Sequence, residues 1–205
     1  MNENHHSQGI PAHETGAAIN AENSREFKDL NGACQFYKIV KNRVLDVNNW
    51  QKLAGEVLAS FQLTNDKGER LNRLAQQGDY FKIDIPGPGP KAGDGYDWVQ
   101  IEELKEQNEG EIESISIMVR PARDPSNSSD DVSHFFSKES TSTFKAIREG
   151  TKISASIHDR NAKPNTDVDS IADKARNATV GAGAISGFAK IQWKSLVDGL
   201  LKREE

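Results

Sequence analysis

From position 29 to 45 the apolar residues Leu30, Ala33, Cys34, Phe36, Tyr37, Val40 and Val44 recur every three or four positions, with lysines and an arginine between them. That spacing puts them on one face of an amphipathic helix. A shorter helical turn over 46–55 is opened by Asp46 or Asn48, closed by Gly55 and anchored by Trp50 and Leu53. The period then falls to two, predicting strands at 56–64, 79–85, 96–104, 112–120, 142–148 and 152–158, with a further candidate at 133–137. The turn sequences at 65–68 and 148–150 are short, so the pairing is antiparallel and the last two strands form a hairpin. Between the second and third strands, prolines and glycines from Pro86 to Gly95 break regular structure.

The last third ends in a helix. Thr166 and Asp169 read as a capping pair, and about 30 residues follow with Ala172, Ala175, Thr179, Ala182, Ile185, Ala189, Trp193, Leu196 and Leu200 on one stripe. Gly181, Gly183 and Gly187 each cost such a helix roughly 1 kcal/mol relative to Ala, which predicts close packing or a cavity beside them.

The expected fold is α+β: a curved antiparallel sheet of six or seven strands, N-terminal helices, and a long C-terminal helix on the sheet's apolar face. Strand parity assigns to that face Phe81, Ile83, Ile85, Val99, Ile101, Ile115, Ile117, Val119, Ile153, Ala155 and Ile157. Residues 1–24 have almost nothing to bury and read as a flexible tail, leaving 25–205 as one domain. No strand is legible ahead of the first helix.

Composition narrows the function classes. A chain of 205 residues has room for one core. Net charge −5 and a pI near 5.6 argue against nucleic acid as a partner. A single cysteine, Cys34, permits no intrachain disulfide and no cysteine-rich metal site. The first 24 residues lack Lys, Arg and a long apolar run, so the protein is expected to be cytoplasmic. Residues 178–189, rich in Gly and Ala, are well short of the ~20 needed to cross a bilayer, and no membrane partner is expected. Six Glu between 101 and 113 read as a solvated hairpin end.

The face opposite the apolar one collects Asp84, Trp98, Gln100, Ser114, Ser116, Met118, Arg120, Ser154, Ser156 and His158. Hydroxyls beside an aromatic floor and a fixed cation suit a recessed binding surface, or an outer face partly covered by the N-terminal helix or by a second subunit. With the two histidines outside the tail and the indole of the final helix, the candidate ligand-binding set is Asp84, Trp98, Met118, Arg120, His134, His158 and Trp193. His134 or His158 could act as a general base oriented by Asp84 or Asp159, but no nucleophile stands in a recognisable turn. The glycine-rich stretch 87–95 lacks a phosphate-binding signature, and no cofactor or metal is implied. The segment 158–167 reads as a capped surface turn.

The strings FYKIVKNRVLDVNNWQKLAG, GDYFKIDIPGPGPKAGDGYDWVQIE and QWKSL resemble an uncharacterised group of small proteins from Bacteroidetes-type bacteria. That resemblance implies a bacterial, cytoplasmic origin and brings no site residues. In element order the chain is similar to helix-grip folds, whose members bind lipids, sterols and other hydrophobic molecules. The leading expectation is a non-enzymatic module for a small amphipathic ligand or a protein partner, a second copy included. The alternative is a hydrolase- or isomerase-like enzyme using His134 or His158 with a carboxylate.

Overall fold

The computed structural model describes residues 6–55, 59–86, 89–167, 171–183 and 187–203. Strand β1 (Ala17–Glu26) is followed by helices α1 (Leu30–Leu45) and α2 (Trp50–Ala54). Six strands come next: β2 (Ser60–Thr64), β3 (Tyr80–Asp84), β4 (Asp97–Glu109), β5 (Ile112–Pro121), β6 (Thr141–Glu149) and β7 (Lys152–Ala162). Helices α3 (Ile171–Gly183) and α4 (Ala189–Leu200) close the chain. Among the described residues the strands form one antiparallel sheet in the order β1-β7-β6-β5-β4-β3-β2. A bulge between Ile101 and Glu103 shifts the β4 register, a device that bends a sheet.

The concave face of this curved α+β sheet carries the core. Phe81, Ile83, Val99, Ile101, Ile115, Ile117, Val119, Ile153, Ala155 and Ile157 are all buried there, as their parity predicts. Asp29 caps α1 by accepting from Gly32 N–H at 2.8 Å, and the helix lays Phe36, Tyr37, Val40 and Val44 on the sheet. Trp50, fully buried at the start of α2, packs edge-on against Phe61 and Phe81 and lies 4.4 Å from the Phe144 ring. Its indole N–H donates to Arg43 O, which ties α2 to the end of α1.

The structure corrects the expected tail. Residues 17–26 form the edge strand paired with β7, and Ile19 and Ala21 are buried beneath α4. Residues 6–16 run over the convex face, where Lys145 Nζ donates to Gln8 O at 2.9 Å and His6 O at 3.4 Å. Asn161, in a left-handed conformation (φ 56°), holds Glu14 N–H, Thr15 N–H and Ala12 O. One bulky residue, Ile19, between the small Ala17 and Ala21 gives β1 only a faint period-two signal.

Three further expectations change. Segment 133–137 is not a strand; it makes one bridge, Phe136 to Pro164. The supposed turn at 158 is the continuation of β7 to Ala162. The C-terminal stripe holds in α4, where Ala189, Leu196 and Leu200 are buried, but α3 faces inward through Asp173, Asn177 and Gly181 while Ala172, Ala175, Thr179 and Ala182 are exposed. α3 therefore packs on loops rather than on the apolar sheet face. Arg176 pairs with Asp97, Asp173 accepts Lys91 N–H, and a Cβ on Gly181 would lie 3.1 Å from Pro164 Cα. Ile185, Asp169, Gly87 and the first residues of the 56–64 strand prediction lie outside the described residues.

Candidate functional site

In β6 and β7 the apolar series on the concave face is flanked by polar residues: Arg148, paired with Glu113 of β5, at one end of the hairpin, and Ser142 with Asp159 at the other. Phe144 and Ala146 share their parity with Ser142, while Ile153, Ala155 and Ile157 share theirs with Asp159. Ser142 and Asp159 are direct cross-strand partners. The carboxylate accepts from Ser142 Oγ–H through Oδ1 and from Trp193 Nε1–H through Oδ2, both at 2.7 Å. Burial nevertheless dominates, pushing the Asp159 carboxyl up to about 6 against the opposing pull of those two hydrogen bonds and of Arg160.

Beside this pair lies a cavity of about 50 Å³ between the concave face and α4. Phe61, Phe81 and Phe144 from the sheet, Phe135 and Phe136 from the 133–136 loop, and Trp193 from α4 give it aromatic walls. Its polar points are Asp159, Ser142, His134 and Gln192. Such a volume has room for a few water molecules. It is far below the ~300 Å³ expected for a pocket enclosing a drug-sized molecule, and it does not lie on the hydroxyl-rich face where the sequence places it.

His134 is buried, with its ring stacked on Phe135 at 4.3 Å between centroids. Nδ1 accepts Phe136 N–H at 2.9 Å, so the neutral ring carries its proton on Nε2. Burial, then the positive field of Arg176, lowers its pKa to about 4 despite the opposing charge of Asp97. At neutral pH it is a donor without a free lone pair, which does not suit a general base. Asp97 is itself engaged, by both arms of Arg176 at 2.6 and 3.1 Å and by Phe135 N–H at 2.9 Å. The Ser142 proton points to Asp159 and not to an imidazole.

Of the seven sequence candidates, the structure brings together His134 and Trp193. Asp159, proposed as an orienting carboxylate, joins them at the cavity. His158 precedes Asp159 on β7 and therefore faces the convex side, where its Nδ1 is 2.8 Å from Asn20 Oδ1. Burial and the neighbouring Arg160, Lys145 and His6 lower its pKa to about 4. The two histidines thus lie on opposite faces of the sheet. Met118 shares the convex side with His158, both opposite Thr143. Trp98 is buried on that side under Ser133 and the turn at Gly93. Arg120 is committed to Glu102 at 2.8 Å and to Lys138 O. Asp84 is exposed at the end of β3, opposite Ser60, and orients neither histidine.

The sequence reading missed Ser142, Gln192 and the aromatic walls. The one available signal was Asp159 itself, an acid at a position where three preceding alternate residues are apolar. Gln192, one residue before Trp193, is buried and accepts Ala59 N–H through Oε1 at 3.0 Å.

No protein-family model and no curated protein matches the chain. Among solved structures it is similar to a hypothetical protein of Helicobacter pylori at 12% identity, with 92% of this chain and 89% of that chain covered and a TM-score of 0.47. It is also similar to a major latex-like protein from Panax ginseng (13%, 82% and 97%, TM-score 0.34) and to truncated norcoclaurine synthase from Thalictrum flavum (9%, 86% and 98%, TM-score 0.35). Likenesses this distant carry nothing about chemistry. Among the described residues, no helix is long and apolar enough to cross a membrane, and no group of three His, Cys, Asp or Glu is placed to hold a metal ion.

Proposed function

We propose that this chain is a binding module that holds one small amphipathic molecule between the concave sheet face and α4. The apolar body rests on Phe61, Phe81, Phe144 and Trp193, and the polar group sits at the Asp159, Ser142 and Gln192 end. One observation carries this reading: a wholly buried carboxyl opens onto an aromatic-walled cavity instead of being sealed by packing. Burying an ionisable group costs stability unless it is well partnered, and an apolar residue of similar size at position 159 would remove that cost. Retaining an acid there is what a polar anchor for a ligand requires.

With about 50 Å³ of space, the closed form holds a few waters, and a compact organic molecule enters when the N-terminal end of α4 moves off the sheet. The protein isolated from its source and weighed intact by native mass spectrometry is expected to carry one small molecule that denaturation releases. Ala189→Leu, which fills the cavity from α4, is expected to abolish that retention while the variant stays folded. Equal retention by the variant and the natural chain would overturn this placement of the site.

A further inference from the structure

Resting on that reading, we infer that the bound molecule presents a neutral hydrogen-bond acceptor of carbonyl or ether type to Nε2 of Gln192. The orientation of this amide is fixed by its surroundings. Oε1 accepts Ala59 N–H at 3.0 Å, and turning the amide over would set two donors against each other. Nε2 is therefore a committed donor, and among the described residues it has no partner although its residue is 2% exposed. Buried donors almost always find an acceptor, because leaving one unmade costs ~1–3 kcal/mol. Gln192 lines the cavity, with Nε2 itself covered in the closed form, so an acceptor reaches it in the opened site that the binding reading requires.

The other polar groups define the rest of the chemistry. Ser142 and Trp193 give their protons to Asp159. His134 is neutral at pH 7 and is a donor through Nε2. No Lys or Arg lines the cavity among the described residues, so a carboxylate or phosphate would enter without a counter-charge and beside Asp159. The ligand class that fits is a neutral ketone, ester, amide or ether on a compact apolar frame.

A matched pair of probes tests this on the full chain: cyclopentanone, and methylenecyclopentane, which has the same shape without the acceptor. Both are titrated into isotope-labelled protein and followed by NMR at the Trp193 indole N–H and the Gln192 side-chain NH₂. Cyclopentanone is expected to shift the Gln192 NH₂ signals, which methylenecyclopentane leaves in place. The ratio of the two dissociation constants is expected to move about tenfold against the ketone in Gln192→Met, the size of one buried hydrogen bond. Cyclopentanecarboxylate is expected not to bind. If the ratio is the same in both proteins, or Gln192 NH₂ responds alike to both probes, the acceptor inference is wrong while the pocket stands. If neither probe moves the Trp193 indole N–H, the cavity holds water only, and the binding reading fails together with this one. Should the variant not fold, the NH₂ comparison in the natural chain decides alone.

Discussion

The indole N–H of Trp193 in α4 donates to Oδ2 of Asp159 in β7 at 2.7 Å, and this bond pins the C-terminal helix to the sheet beside the Ser142–Asp159 pair. The other oxygen of the same carboxylate accepts from Ser142 on β6. Trp193→Phe keeps the aromatic packing on Phe61 and Phe144 but removes the donor. The expected loss is ~1.5–3 kcal/mol, the range for hydrogen bonds to a charged group, measured by urea unfolding at pH 7.5. A loss below 0.5 kcal/mol would mean that the bond does not hold α4.

The pH dependence has a definite sign. Asp159 titrates near 6 in the folded protein against 3.8 ordinarily, so between those values the native state holds the extra proton and stability falls as pH rises. His134 and His158, both lowered to about 4 from 6.5, hold fewer protons when folded, so their contribution is lost as pH falls through that window. The two histidines outweigh the one acid, and the natural chain weakens on acidification from 6.5 to 4. Asp159→Asn removes the opposing term and should lose stability more steeply from pH 6 to 4, by up to ~1.4 kcal/mol per pH unit. Equal slopes in the two proteins would contradict a raised Asp159.

Much of the architecture was legible because burial in a half-covered sheet writes a period of two. Phe81, Ile83, Ile115, Ile117, Ile153 and Ile157 announce the concave face, and the spacing of Phe36, Tyr37, Val40 and Val44 announces α1. Strand β1 was not legible because an edge strand with one partner buries little, and only Ile19 and Ala21 mark it. In α3 the inward stripe is Asp173, Asn177 and Gly181, polar or without a side chain, since its partners are backbone amides and a proline rather than apolar side chains. The hydroxyl-rich face looked like a binding surface because the sequence does not show that residues 6–16 fold back over it. The cavity itself arises from the meeting of the 133–136 loop, strands β2 to β7 and α4, a relationship that no local pattern encodes.

Removing residues 1–12 strips Lys145 of the His6 and Gln8 carbonyls and Glu149 of its contact with His6. The truncated chain is expected to lose ~1–3 kcal/mol and to expose the buried Thr143 and Ile147, seen as faster hydrogen exchange in β6. Ligand retention at the concave cavity should not change, because the two sites lie on opposite faces. Loss of retention would place the binding site on the convex side instead.

Glycine substitutions separate packing from helix propensity. At Gly199 a Cβ would lie 2.1 Å from Leu53 O, so Gly199→Ala forces α4 away from α2 and is expected to cost more than ~2 kcal/mol. A Cβ added at Gly183 would meet nothing within 4 Å, and Gly183→Ala is expected to stabilise by ~0.5–1 kcal/mol. Thermal unfolding of the two variants checks both signs.

The central claim is that the space bounded by Asp159, Gln192 and the aromatic walls is a ligand site, and the most direct measurement is a high-resolution crystal structure of the protein isolated from its source. Continuous density for a non-water molecule within hydrogen-bonding distance of Gln192 Nε2 is the result predicted. Density for isolated waters alone, unchanged after soaking with cyclopentanone, would contradict it.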